Sequence, residues 1–113
     1  MKNEKKHFQI LDEIYFIIDS RSKTKKKNSY TSKLFKEGNK KIAEKVLEEC
    51  SELIIDFLKG SKKRTIEEAS DLLFHIIVLL KAKKIKPDEI EKELKKRMKK
   101  KWNTMNQIFL IKF

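Results

Sequence analysis

Residues 65–80 read TIEEASDLLFHIIVLL, and this stretch decides the fold because apolar residues occupy nearly its whole helical circumference. A helix of that kind is covered on most sides, so we predict that it is central in the molecule. Its expected start is Thr65, with Glu68 three residues later completing a capping box. The narrow polar strip that remains holds Glu68, Asp71 and His75. These ionisable groups are therefore expected at a buried or half-buried edge.

A second long helix is predicted over residues 40–59, and Gly60 ends it. Helical spacing sorts its residues onto two faces. The apolar arc contains Ile42, Ala43, Val46, Leu47, Cys50, Leu53, Ile54, Phe57 and Leu58. The opposite side holds Lys45, Glu48, Glu49, Glu52 and Asp56. A concentrated acidic stripe of this kind needs an explanation in a chain whose net charge is +12.

Two more long helices flank this pair. One is predicted roughly over residues 4–19, where apolar residues recur every three or four positions, and the other starts at Pro87. No segment alternates like a strand. We therefore predict an all-α fold, a four-helix bundle of one domain over residues 1–113.

The connections are less regular. Residues 20–29 are polar and basic and are predicted to form a loop. The next residues, up to Gly38, could hold a short helical turn, with Asn39 as the N-cap of the helix that follows. The conformation of residues 103–113 is not assigned.

The two long central helices each carry an acidic pair at positions i and i+3, Glu49 with Glu52 and Glu68 with Asp71. That spacing places both carboxylates of a pair on one helical face. If the helices pack antiparallel across the short connection, the pairs face each other and repel unless hard cations such as Mg²⁺ bind there. The alternative is that these residues are solvated surface, but Glu68 and Asp71 lie on a segment too apolar for that.

His75 and Cys50 are interpreted as structural. A lone histidine in a core helix is more often a hydrogen-bonded residue than a ligand. Cys50 lies on the apolar arc and is expected to pack there. Because it is the only cysteine, the chain fits a reducing compartment, and we expect a cytoplasmic protein.

The positive charge raises a second functional class, a basic helical module that binds nucleic acid. Only Arg21, Arg64 and Arg97 among the 29 basic residues are arginine, the residue best suited to base and phosphate recognition. A lysine-rich composition accounts for the charge equally well, so a nucleic-acid partner is not expected. The longest apolar run, residues 72–80, is far shorter than the roughly 20 residues of a membrane span.

Three stretches carry a family resemblance: SYTSKLFKEG at 29–38, KIAEKVLEECSELIID at 41–56 and EEASDLLFHIIVLL at 67–80. Their EExxE and ExxD patterns resemble those of the all-α nucleotide pyrophosphohydrolases, which include MazG-type enzymes and dimeric dUTPases. The serine-tyrosine-threonine stretch and DLLFH are similar to the phosphoribosyl-ATP pyrophosphatase family in particular. The resemblance covers about residues 8–98.

The resemblance implies Mg²⁺-dependent hydrolysis of phosphoribosyl-ATP to phosphoribosyl-AMP and pyrophosphate, the second step of histidine biosynthesis, in a homodimeric helical bundle. The metal ligands that it implies are Glu49, Glu52, Glu68 and Asp71. Glu48 would orient or deprotonate the attacking water, while Lys33 and Lys45 are candidates by position to neutralise phosphate charge. A house-cleaning nucleoside triphosphate pyrophosphohydrolase is the alternative, since its metal site would look the same. Leu47 stands where the family is expected to have a small residue, so packing there is expected to differ.

Overall fold

The computed structural model describes residues 2–24 and 28–103, and the side chains of 9–24 and 28–99. Within these ranges five helices follow one another: α1 (Lys2–Lys23), α2 (Tyr30–Glu37), α3 (Asn39–Lys59), α4 (Lys62–Ala82) and α5 (Pro87–Asn103). These ranges contain no strand, so the all-α prediction is confirmed. Four helices are the long ones expected, and α2 adds a short fifth one. Of residues 103–113, which the sequence left unassigned, Asn103 ends α5 and residues 104–113 lie outside the described residues.

Two predicted helix caps are wrong. The Oγ of Ser61 accepts a hydrogen bond from the Arg64 N–H at 3.1 Å, so α4 begins at Lys62 rather than near Thr65. The Thr65 hydroxyl instead donates to the Ser61 carbonyl at 2.9 Å. A serine directly after the glycine that ends α3 thus caps α4 one turn earlier than expected.

The second wrong cap is Asn39, and the connection between α2 and α3 explains why. Gly38 has a φ of 103°, which glycine adopts without the strain that a side chain would add. This conformation turns the chain within one residue, so Asn39 is already helical and Gly38 takes the N-cap position without a side-chain hydrogen bond. At the other end of α2, Ser29 is the N-cap and accepts from the Ser32 N–H at 3.1 Å.

The core lies where α4 packs against α1 and α3, as expected for the central helix. Ile18 of α1 and Val78 of α4 are fully buried. The other buried core residues are Tyr15, Leu34, Ile42 and Ile77. An ion pair between Lys81 Nζ and Asp19 Oδ1, at 2.7 Å, joins α4 to α1 at the edge of this core.

Much of the apolar surface of α3 is left uncovered within one chain. The exposed apolar stripe of α3 consists of Leu47, Ile54, Phe57 and Leu58. Leu47, Phe57 and Leu58 are each 70 % exposed or more, and Ile66 and Leu73 on α4 are also exposed. The expectation that α4 is covered nearly all round therefore holds only in part. None of the described helices is long and apolar enough to cross a membrane.

Candidate metal centre

The two acidic pairs meet between α3 and α4, which are joined by Gly60 and Ser61 and pack along each other. Carboxylate oxygens of Glu49, Glu68 and Asp71 lie within 4.8 Å of one another. A second group with the same spacing is formed by Glu48, Glu49 and Glu52. Glu49 belongs to both groups, so the structure brings the predicted ligands of both helices into one small volume.

Two of these carboxylates are buried and only half satisfied. Glu49 is 7 % exposed and Glu68 is 4 % exposed. The Oε1 atoms of both residues are buried without a hydrogen-bond partner among the described residues. A buried unpaired acceptor costs about 1–3 kcal/mol, and more when it carries charge. Hard divalent cations bind through such oxygens, so this donor set fits a metal ion of the Mg²⁺ type.

The electrostatics of Glu68 show how closely the acidic groups are packed. Burial raises the pKa of Glu68, and the neighbouring carboxyl groups of Glu52 and Asp71 raise it further, against the opposing charge of Arg64. Glu52 of α3 therefore reaches Glu68 of α4. Carboxylates this close together repel one another, and a bound cation would relieve that repulsion.

Asp71 differs from the expectation for its helix. It is exposed, whereas Glu68 and His75 on the same polar strip are buried. The strip thus runs from the interior at Glu68 to solvent at Asp71. Solvent therefore reaches the cluster on the side of Asp71.

Of the two candidate phosphate-binding lysines, Lys45 contacts the acidic cluster. Its Nζ lies 3.2 Å from Glu48 Oε1 and 3.6 Å from Glu49 Oε2. Burial lowers the pKa of Lys45, but the hydrogen bond to Glu48 and the nearby negative charges outweigh it, so the pKa is raised and the ammonium stays charged. Lys33 is exposed on α2, and no ion pair in the described part of the chain links it to the cluster.

His75 is hydrogen-bonded at both ring nitrogens, as the structural interpretation predicted. Its Nδ1 lies 2.8 Å from the Asp71 carbonyl oxygen, and its Nε2 lies 2.7 Å from Tyr30 Oη. Because a carbonyl can only accept, Nδ1 carries the proton and Nε2 accepts from the tyrosine hydroxyl. Burial raises the pKa of Tyr30. Smaller effects come from the charge of Lys45, which lowers this pKa, and from the charges of Glu49 and Glu48, which raise it. The hydrogen bond between Tyr30 and His75 fixes the start of α2 against α4 beside the acidic cluster.

Sequence reasoning missed two residues of the site. Tyr30 was noted only as part of the serine-tyrosine-threonine stretch, and Arg64 only as one of three arginines. Arg64 donates from Nη2 to Glu68 Oε2 at 2.8 Å and from Nη1 to Glu67 Oε1 at 2.9 Å. The i, i+4 spacing of Arg64 and Glu68 was a signal that could have found this pair.

Comparison with known proteins identifies the family of this chain. The family profile described as "Phosphoribosyl-ATP pyrophosphohydrolase" matches residues 11–98. The chain belongs to this family. A relative from Sulfolobus acidocaldarius, named phosphoribosyl-ATP pyrophosphatase, is 45 % identical over 91 residues, which cover 80 % of this chain and 96 % of the relative.

Two further relatives carry the same name. One from Clostridium botulinum (strain Hall) is 42 % identical over 98 residues, or 87 % of this chain and 89 % of its own. Another from Methanocella arvoryzae is 41 % identical over 92 residues, or 80 % of this chain and 97 % of its own. The range that matches the pyrophosphohydrolase family, residues 11–98, contains both acidic pairs as well as Lys45, Tyr30 and Arg64. The acidic cluster between α3 and α4 therefore lies within the matched range.

Proposed function

We propose that this protein hydrolyses phosphoribosyl-ATP to phosphoribosyl-AMP and pyrophosphate, the second step of histidine biosynthesis, with Mg²⁺ as its metal ion. The observation that carries the proposal is the pair of buried, unpartnered oxygens, Oε1 of Glu49 and Oε1 of Glu68, in a member of the pyrophosphohydrolase family. The name that the relatives share, phosphoribosyl-ATP pyrophosphatase, supports the choice of substrate.

Glu49, Glu52, Glu68 and Asp71 are the proposed Mg²⁺ ligands. Mg²⁺ suits the site because it is bound through a few carboxylates together with waters and substrate phosphates. When bound, the ion would neutralise phosphate charge and acidify a coordinated water. Asp71 and Glu48 are exposed, so the mouth of the cluster can admit the triphosphate while Glu49 and Glu68 hold the inner side.

Glu48 is proposed to orient the attacking water and accept its proton. The water oxygen forms a new bond to phosphorus, the anhydride phosphorus–oxygen bond breaks, and pyrophosphate leaves. Lys45, 3.2 Å from Glu48, would hold that carboxylate in position and offset charge on the phosphates. The same phosphate-neutralising role is proposed for Lys33, on its position in α2 alone.

A homodimer is also part of the proposal. The exposed apolar stripe of α3 is too apolar to be ordinary surface, and a second copy of the chain can cover it through an isologous contact. Apolar residues of α1 and α5 are exposed as well, namely Phe16, Ile17, Ile90, Leu94 and Met98. Sedimentation of the intact protein and of a Phe57→Glu variant would test this contact: the variant should sediment as a monomer, and unchanged sedimentation would rule the α3 stripe out.

A cytoplasmic location is proposed because Cys50 has no second cysteine with which to form an intramolecular disulfide. Complementation of a histidine auxotroph that lacks this step tests the pathway in the cell. Growth without histidine is expected from the intact gene.

The substrate assay separates the proposed activity from its alternative. Purified protein with Mg²⁺ should release pyrophosphate from phosphoribosyl-ATP far faster than from ATP, dCTP or dUTP. Equal rates would favour a house-cleaning nucleoside triphosphate pyrophosphohydrolase. The Glu49→Gln and Asp71→Asn variants should lose this activity while retaining helical circular dichroism.

A further inference from the structure

We infer that Arg64 is a positioning residue of the proposed metal centre, which holds one oxygen of Glu68 so that the other is presented to the metal ion. The inference rests on the proposed function, because it assigns a role toward the same site. Arg64 was not among the residues that the sequence pattern assigned to the metal, the water or the substrate.

The two oxygens of Glu68 have different surroundings. Oε2 accepts a hydrogen bond from Arg64 Nη2 at 2.8 Å, whereas Oε1 is buried and has no partner in the part of the chain that the structure describes. A carboxylate whose second oxygen is fixed by a guanidinium cannot rotate freely, which leaves Oε1 as the oxygen available to a cation in the cluster that Glu68 forms with Glu49 and Asp71. Glu49 shows the same division, since its Oε2 pairs with Lys45 and its Oε1 has no partner.

Arg64 is itself fixed at three points. Besides Glu68, its guanidinium contacts Glu67 Oε1 at 2.9 Å and Asp56 Oδ2 at 3.6 Å. Lysine could not make these contacts together, because only the planar guanidinium presents several donors in a fixed fork. The side chain is about half exposed, yet both of its terminal nitrogens are engaged by the protein.

Gly60 makes room for this arrangement. A Cβ at this position would collide with the Asp56 carboxylate and with the last turn of α3. The glycine therefore allows Asp56 to lie over the α3–α4 turn, where its Oδ2 reaches Arg64. The backbone at the turn and the orientation of Glu68 are linked through one guanidinium.

The charges also favour a positioning role over competition with the metal. Arg64 brings one positive charge to three carboxylates, those of Asp56, Glu67 and Glu68. The surroundings of Arg64 thus remain negative, and a divalent cation is still attracted to the free oxygen of Glu68. Outer-shell partners of metal ligands commonly change metal affinity by about 10–100-fold when they are removed.

The test is Mn²⁺ binding to metal-free protein, measured by isothermal titration calorimetry. Arg64→Gln should raise the dissociation constant about 10-fold or more, and Arg64→Lys should fall between the two because it keeps the charge without the fork. Arg97→Gln is the matched control, since Arg97 makes a similar i, i+4 pair with Glu93 on α5, at 3.0 Å. It should bind Mn²⁺ as tightly as the unaltered protein.

Kinetics give a second readout. If Arg64 acts through Glu68, raising the Mg²⁺ concentration should restore kcat in Arg64→Gln, and KM for phosphoribosyl-ATP at saturating Mg²⁺ should be unchanged. A raised KM at saturating Mg²⁺ would instead make Arg64 a substrate-binding residue and overturn the inference.

Other outcomes also decide the matter. Unchanged Mn²⁺ affinity in Arg64→Gln would reduce Arg64 to a stabilising residue at the start of α4, and tighter binding would make it a competitor of the metal. If Arg64→Gln loses its helical circular dichroism, Arg64→Lys and Glu67→Gln carry the test, each with a smaller loss of affinity expected. If the unaltered protein itself binds no Mn²⁺, the proposed metal centre is wrong, which is a different result from a failure of the Arg64 role alone.

Discussion

Replacing Glu49 with glutamine should stabilise the metal-free protein, although it removes a proposed metal ligand. Glu49 lies within 4.8 Å of Glu68 and Asp71 on one side and of Glu48 and Glu52 on the other. Two like charges about 4 Å apart repel by about 1 kcal/mol in water and by more at a protein interior. The side chain also leaves a buried oxygen unpaired. When the Glu49 carboxylate is replaced, Lys45 remains paired with Glu48.

Because the repulsion and the unpaired charge are relieved, Glu49→Gln should raise the free energy of unfolding of the metal-free protein by about 1–3 kcal/mol. For a domain of this size each kcal/mol moves Tm by about 4–8 °C. Excess Mg²⁺ should reverse the order, because a ligand at 1,000 times its dissociation constant stabilises the unaltered protein by about 4.1 kcal/mol. Glu49→Gln should gain almost nothing.

Thermal unfolding followed by circular dichroism, with EDTA or with excess Mg²⁺, measures both halves of this prediction. Glu44→Gln is the control, an exposed glutamate on the same helix that should leave Tm and its response to Mg²⁺ unaltered. A metal-free Glu49→Gln protein that melts below the unaltered protein would refute the reasoning. Glu49 would then be a structural partner of Lys45 rather than a ligand held in place for a cation.

Three further changes test the packing around the site. Ile18→Ala should lower the unfolding free energy by about 2–5 kcal/mol in urea titrations, because Ile18 is fully buried between helices; a loss under 1 kcal/mol would contradict this core. Tyr30→Phe should cost about 1–3 kcal/mol by leaving His75 Nε2 unpaired, measured in the same way, and an unchanged midpoint would mean that the hydroxyl bond does not anchor α2. The hydrogen bond to Lys81 lowers the pKa of Asp19. The Asp19–Lys81 ion pair therefore contributes to the stability of the fold above about pH 4, and this contribution is lost as the pH falls through the lowered pKa. The difference in Tm between the unaltered protein and Asp19→Asn should therefore shrink toward zero in acid, and a difference that is constant with pH would show that the ion pair does not stabilise the fold.

The helices of the site could be predicted from the sequence because their patterns are local. The apolar arc and acidic stripe of residues 40–59 correspond closely to α3, and Pro87 starts α5 as its missing N–H allows. The i, i+3 acidic pairs meet as expected, since a two-residue connection leaves α3 and α4 little choice but to pack along each other.

Other features depended on contacts that a helical wheel does not contain. The position of Tyr30 depends on how α2 packs, and the positive φ of Gly38 sets the direction of α2 relative to α3. The predicted cap at Thr65 failed because Ser61 offered an equivalent hydroxyl one turn earlier. The exposure of Leu47 and Phe57 could not be predicted either, because a wheel identifies an apolar face without identifying what covers it.

Arg64 illustrates the same limit at the site itself. Its spacing from Glu68 is local and visible in the sequence, but its contact with Asp56 depends on the turn at Gly60. Local patterns therefore identify candidate ligands, while the residues that hold them in place become evident only from the packing of two helices.

Crystals soaked in Mn²⁺ and measured for anomalous scattering would test the central claim most directly. We predict a peak between α3 and α4 about 2.0–2.2 Å from Glu49 Oε1 and Glu68 Oε1, the distance typical of small hard cations on carboxylate oxygens. A strong peak elsewhere, or none at saturating Mn²⁺ with both oxygens still unpaired, would contradict the assignment of this cluster as the metal centre.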